Sequence, residues 1–287
     1  MPPAPPPVAP QHLYADGPSG QVFQFALPLT GASPTAILSN PTTNAVSSVA
    51  VDSAGNLAIG DFAGNISVFK GPVTSSTSAS ATFKNGTATA VGQLVFNSAG
   101  DLFATTDSNK INVFTHPLTS ASTPSQVITD VNLTGAVGIV LDSSNNLIVG
   151  NSPSLAGSTL LVFAPPYTGP AVAAAFVPAE PYRQMAISGT QLFVASSIPE
   201  MSFVDVYNLP ITAGSAPAFS IKNGVFGGSV SASAIAFDSK GNLYVGISGN
   251  LGTTDSGGVR TYAPPFSAAS NPSVTAGVSA STMAIGK

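Results

Sequence analysis

The chain has no cysteine, two histidines, two glutamates and eight basic residues among its 287, and each scarcity closes a class of chemistry. Without cysteine there are no disulfides, no thiolate metal sites and no thiol nucleophile. Eight Lys and Arg under a net charge of −4 form no basic stripe able to neutralise a phosphate backbone, so nucleic acid is not an expected partner. No apolar run approaches the roughly 18 residues that read as a transmembrane helix, and no transmembrane segment is expected. Charged residues make up only 7% of the chain, against roughly 25% in ordinary soluble proteins, so hydroxyls and exposed backbone must form the surface. With so few histidines, no His can be placed beside an Asp and a Ser on one face for nucleophilic catalysis. A phosphate-cradling glycine loop is also missing.

What the chain has in abundance is one phrase, written six times. Val22-Phe23-Gln24-Phe25 precedes Pro28, Ile66-Ser67-Val68-Phe69 precedes Pro72, and Ile111-Asn112-Val113-Phe114 precedes Pro117. Leu160-Leu161-Val162-Phe163 precedes Pro166, Val204-Asp205-Val206-Tyr207 precedes Pro210, and Val259-Arg260-Thr261-Tyr262 precedes Pro265. The prolines lie 44, 45, 49, 44 and 55 residues apart. A period of that length, built from alternating β-formers, signals propeller blades rather than helical repeats. The fold class expected is therefore all-β: a six-bladed β-propeller of four-stranded antiparallel blades over residues 12–287.

A second element recurs between the phrases, at Asp52 to Leu57, Asn97 to Leu102, Asp142 to Leu147 and Asp238 to Leu243. A carboxylate or amide, two small residues and then Gly or Asn make a tight hairpin, because the side chain bonds the turn's own N–H groups. Asp52, Asp142 and Asp238 are accordingly turn residues, not catalysts. The ends complement each other: residues 282–287 read as an inner strand, and His12-Leu13-Tyr14 as the second strand that should follow it. One blade is thus expected to be shared between the termini, leaving no open edge. Residues 1–11, proline-rich at their start, read as an extended tail. Tail and composition together fit an exported protein, secreted, periplasmic or attached at the cell surface.

The Asp-x-x-Gly-Asn-Leu turn at Asp52 to Leu57 and at Asp238 to Leu243, followed by a short strand, resembles the NHL-type and gluconolactonase-like six-bladed propellers of bacteria. The gluconolactonase-like branch implies a divalent metal in the central channel, held by Glu, Asn and Asp. Aligning the inner strands on their turns puts Ser47 and Ser48, Gly92 and Gln93, Val137 and Gly138, Arg183 and Gln184, Ser233 and Ala234, Ser281 and Thr282 nearest the channel. None is a carboxylate, whereas a hard cation takes six or more oxygens, usually including carboxylates. No metal and no cofactor are expected.

The unit between residues 180 and 208 departs from the pattern. Ile187-Ser188-Gly189-Thr190-Gln191-Leu192 replaces the usual turn, and nearby lie both glutamates and one of the two arginines. Glu180, Tyr182, Arg183, Gln184 and Glu200 belong to loops and strand ends that share the top face, so they are the candidate ligand-binding residues. Arg183 suits a carboxylate, sulfate or sugar hydroxyl with Tyr182 as a stacking wall; alternatively it pairs with Glu180 or Glu200 and plugs the channel. Asp16, Asp61, Asp107 and Asp255 fall in equivalent top loops, too far apart to share one ion, and are assigned to solubility. His116 is expected in a peripheral solvated loop. The functional expectation is a monomeric, non-catalytic binding module for a protein, glycan or small polar ligand. The alternatives are a metal-dependent hydrolase or lyase of the gluconolactonase-like class, and a structural surface or adhesion component.

Overall fold

The structure, a computed structural model, describes residues 11–17, 20–30, 33–107, 109–154, 157–177, 182–198, 201–222, 230–249, 257–277 and 280–286. The proline-rich stretch before residue 11, Glu180, Glu200 and Asp255 lie outside them.

Among the described residues the strands form six antiparallel sheets of four. Blade 1 contains β1 (His12–Asp16), β2 (Gln21–Ala26) and β3 (Ala36–Ser39). Blade 2 is β4 (Val46–Val51), β5 (Leu57–Asp61), β6 (Asn65–Phe69) and β7 (Ala81–Lys84). Blade 3 is β8 (Val91–Phe96), β9 (Leu102–Thr106), β10 (Ile111–Phe114) and β11 (Gln126–Ile128). Blade 4 is β12 (Ala136–Leu141), β13 (Leu147–Ser154), β14 (Gly157–Phe163) and β15 (Val172–Val177). Blade 5 is β16 (Tyr182–Ser188), β17 (Gln191–Ile198), β18 (Met201–Asn208) and β19 (Phe219–Ile221). Blade 6 is β20 (Val230–Phe237), β21 (Leu243–Gly249), β22 (Gly258–Tyr262) and β23 (Val274–Ala276). The last strand, β24 (Met283–Gly286), returns to blade 1 and pairs with β1 from His12↔Gly286 to Ala15↔Met283. The ring is closed by a blade with strands from both ends of the chain, as the sequence predicts.

The turns form for the reason their residues imply. Asp52 Oδ1 accepts from Ala54 N at 2.9 Å and Asn56 N at 2.8 Å, and its Oδ2 accepts from Asn56 Nδ2 at 2.7 Å. Asn97, Asp142 and Asp238 bond their own turns in the same way. The fourth residue of each turn has positive φ: Gly55 at 85°, Gly100 at 88°, Asn145 at 60° and Gly241 at 78°. These are left-handed conformations that only Gly and Asn adopt cheaply. The divergent unit substitutes a two-residue turn at Gly189-Thr190, with Ser188↔Gln191 as its closing pair. Each of the six prolines of the repeated phrase follows a cis peptide bond.

The core is divided among the blade interfaces. One apolar cluster lies between each neighbouring pair, including blades 6 and 1, where Tyr244, Val259 and Ala280 meet Leu13, Phe25 and Met283. These side chains alternate along their strands with residues of the opposite face, the period that stacked sheets require. The inner strands β24, β4, β8, β12, β16 and β20 neighbour one another around the axis, and their starts surround the mouth of the channel.

Candidate functional site

A feature of the pairing, invisible in the residue pattern, decides what faces the channel. Each inner strand from β4 to β20 slips register by one residue against its second strand: between Val46 and Ser48, Val91 and Leu94, Ala136 and Gly138, Tyr182 and Met185, and Ala232 and Ala234. A bulge of this kind places an extra residue on one strand and re-aims its side chain. The residues at the slips, Ser47, Gly92, Gln93, Val137, Arg183, Gln184 and Ser233, all line one open cavity of about 500 Å³. Ser281, just ahead of β24, completes the contribution of blade 1, and Ser231, Ser248 and Phe62 add to the wall. All six blades therefore reach this cavity at the top face.

Beneath the mouth, polar side chains fasten inner strands across blade boundaries. Ser48 Oγ accepts from Leu94 N at 3.0 Å, and Thr282 Oγ1 accepts from Val49 N at 3.2 Å. Gln184 does more: its Oε1 accepts from Ile235 N at 2.9 Å and Met283 N at 3.3 Å, while its Nε2 donates to Met283 O at 2.8 Å. Blades 5, 6 and 1 are thus joined through one buried amide. Gln184 lies at the cavity floor with its hydrogen-bonding groups engaged by the protein.

Arg183, the neighbour of Gln184 on the same bulge, is exposed and is the one cation among the described lining residues. No described carboxylate lines the cavity. Tyr182 opens β16 beside it. Ser233 and Ser248 hydroxyls share a hydrogen bond at 2.7 Å. The Ser47 hydroxyl is buried at the wall with no partner among the described residues. Of the five residues selected from sequence, the structure brings Arg183 and Gln184 to the cavity.

Phe62 was not among those candidates. It is 64% exposed and is the one aromatic among the large exposed apolar side chains described. Its position follows from Asp61, whose Oδ1 accepts from Ala63 N at 2.9 Å and Asn65 N at 2.8 Å, wrapping the turn so that the intervening aromatic is left outside. Asp61 Oδ2 also accepts from Thr42 Oγ1 at 2.5 Å, Asn65 Nδ2 at 2.8 Å and Asn44 Nδ2 at 3.2 Å. Burial opposes its charge, but the hydrogen bonds from Thr42, Asn65 and Ala63 outweigh burial and hold the carboxyl below the usual carboxylate range. The sequence signal for Phe62 was an aromatic at the second position of an Asp-x-x-Gly-Asn turn, where Asp52 and Asp238 are followed by serine.

The other top-loop acids also have work beyond solubility. Asp16 Oδ1 accepts from Ser281 N at 2.7 Å and Thr282 N at 2.9 Å, and Asp16 Oδ2 bonds the Ser281 hydroxyl. Asp107 receives Thr89 N at 3.2 Å, and in blade 4 the amide oxygen of Asn151 receives Thr134 N at 2.9 Å and Gly135 N at 2.8 Å. Each fastens the segment entering an inner strand to the top loop of its own blade. Asn85 is fully buried, where Asn112 Nδ2 donates to its Oδ1 at 2.9 Å.

The metal set implied by the gluconolactonase-like resemblance does not fit. Among the described residues no three His, Cys, Asp or Glu come together, and the channel positions offer hydroxyls, amides and a guanidinium. His116 is exposed and lines a separate peripheral cleft of about 250 Å³ with Asp52 and Lys70.

No family model and no curated protein matches the chain. Solved structures do. A protein of unknown function from Bacteroides caccae superposes with a TM-score of 0.68 at 10% identity, covering 97% of this chain and 100% of its own. The β-propeller domain of Cps50 (Swd1) from Myceliophteria thermophila gives 0.62 at 10% identity, covering 92% and 84%. A functionally unknown protein from Desulfotomaculum acetoxidans DSM 771 gives 0.59 at 12% identity, covering 96% and 98%. These likenesses carry the fold: the protein is a six-bladed β-propeller. Fold alone does not carry function.

Proposed function

We propose that this protein is an exported, non-catalytic binding module that takes its ligand at the mouth of the central channel. The observation that supports this most directly is the convergence of bulge residues from five blades, with Ser281 from the sixth, on one cavity. Its size of about 500 Å³ lies within the roughly 300–1,000 Å³ usual for small-molecule sites. Its described lining is suited to binding rather than reaction: hydroxyls, two amides of which that of Gln184 is already engaged, one guanidinium and one exposed aromatic. The ligand classes in view are a protein segment, a glycan or a small polar molecule. Kinship with NHL-type and gluconolactonase-like propellers belongs to the same proposal, resting on the fold and the Asp-x-x-Gly-Asn-Leu turn. Export, to the periplasm or cell surface, rests on the low charge and the proline-rich start. The closed ring is taken to act as a monomer.

The test is a thermal-shift screen of the purified chain against saccharides, small polar metabolites and peptides. A ligand at about 100 times its Kd adds roughly 2.7 kcal/mol. Stabilisation should be lost in Arg183→Ala and kept in Lys70→Ala, whose side chain lies at the peripheral cleft. Ligands whose effect survives Arg183→Ala undiminished would overturn the assignment to the channel mouth.

A further inference from the structure

Resting on the channel-mouth reading, we infer that the ligand is a saccharide carrying a carboxylate, a hexuronate residue at the end of a glycan or as a free sugar acid. Three features of the cavity wall select it together. Arg183 is its one described cation, with no described carboxylate among the lining residues. Guanidinium presents a planar fork that matches a carboxylate in two parallel hydrogen bonds. A cationic ligand meets no counter-charge among the described lining residues.

The cavity wall that includes Arg183 carries, beside Ala136 and Val137, the polar side chains of Ser231, Ser233, Ser248, Ser281 and Gln93. An apolar ligand would strip water from these groups without replacing its hydrogen bonds, at a cost for each group. A ligand dense in hydroxyls replaces them. Phe62, 64% exposed at the rim, supplies the third element. A pyranose has one face of C–H groups, which an aromatic ring covers while the equatorial hydroxyls stay free to bond outward. Charge, hydroxyl density and an apolar face coincide in a uronic acid. Acetate has only the first, a neutral sugar only the last two. The cavity's volume leaves space for a sugar ring entering from the open top face, with any further chain extending into solvent.

The experiment is calorimetric titration of the full chain with the methyl glycosides of glucuronate and galacturonate and with their disaccharides. The neutral methyl glycosides and sodium acetate serve as comparisons. At least one uronide should bind ten or more times more tightly than its neutral counterpart. Arg183→Gln should bring that uronide down to the neutral level, since hydrogen bonds to a charged group are worth roughly tenfold or more. Phe62→Ala should weaken the uronide and the neutral sugar alike, by roughly 3- to 10-fold. Both side chains are exposed, so both variants should retain the wild-type melting temperature, and Lys70→Gln should bind normally. Equal binding of neutral and uronide sugars overturns the carboxylate and leaves the channel mouth as the site. Absence of saccharide binding, with another ligand lost on Arg183→Gln, overturns the sugar acid alone. Uronide binding insensitive to both Arg183→Gln and Phe62→Ala overturns this inference and the channel-mouth reading together.

Discussion

Replacing Gln184 by alanine tests whether one amide joins three blades. The substitution removes three hydrogen bonds, of which the contact from Met283 N, at 3.3 Å, is the weakest. It leaves Ile235 N in β20 and Met283 O in β24 without the partner that joins them. An unsatisfied buried backbone group costs about 1–3 kcal/mol, so the two together give about 2–6 kcal/mol. Gln184 borders the open cavity, and water entering there replaces part of the loss, which places the expected value near 2–4 kcal/mol. At roughly 2–4 °C per kcal/mol for a domain of this size, the melting temperature should fall by about 4–16 °C. Calorimetry and urea denaturation followed by circular dichroism read this directly. Gln191→Ala, at the exposed hairpin of the same blade, should stay within about 0.5 kcal/mol of the parent.

Gln184→Glu sharpens the test because it keeps the acceptor for Ile235 N but removes the donor to Met283 O unless the carboxyl is protonated. Burial and the facing carbonyl raise the folded-state pKa of such a group above its unfolded value. The protonated form's contribution is then fully present below the unfolded pKa and lost as pH rises through the folded one. Gln184→Glu should therefore approach the parent's stability in acid and fall away toward neutrality. A Gln184→Ala variant within 0.5 kcal/mol of the parent, or a Glu variant with no such trend, would refute the clasp.

Deleting residues 281–287 removes β24, its ladder with β1, the Asp16 clasp and the buried Met283. Loss of the Met283 side chain alone costs about 2–5 kcal/mol, so the truncated chain should aggregate or unfold; a soluble monomer with an unchanged thermal midpoint in gel filtration and calorimetry would contradict the closure. Asp61 has a depressed carboxyl pKa, so its stabilisation is present above the unfolded value near pH 4 and lost as pH falls through the folded value. Acid titration of unfolding free energy should show this loss, and Asp61→Asn should be destabilised at neutral pH with a shallower acid dependence; an unchanged acid limb would show that the carboxylate is not the cause.

The fold was legible because its determinants are local and repeated. The Asp-x-x-Gly turns, the alternating Val-x-Val-Phe strands and the matching ends each state their structure in a few adjacent residues, and the structure has all three. The mouth of the channel was legible only in part. Counting back from the turns found the channel-facing positions, since Ser47, Val137, Arg183, Ser233 and Ser281 all line the cavity. The bulges that aim them depend on pairing with the second strand, which no single strand's sequence reveals. The same limit hid Gln184's role, because its partners Ile235 and Met283 are 51 and 99 residues away. Asp16 and Asp107 looked like scattered surface charge because the backbone groups they fasten arrive from other segments. Phe62 was passed over although it sits in an Asp-x-x-Gly-Asn turn, Asp61 to Asn65, because that motif fixes the turn's backbone and says nothing of where its second side chain points.

The account's central claim is that the channel mouth is where a ligand binds. Amide chemical-shift mapping of the isotopically labelled chain during titration with methyl glucuronide tests it most directly. The expected result is a single set of shifting resonances drawn from several blades at once: Ser47, Phe62, Gln93, Arg183, Ser233 and Ser281. Shifts confined to the peripheral cleft around Lys70 and His116 would contradict it.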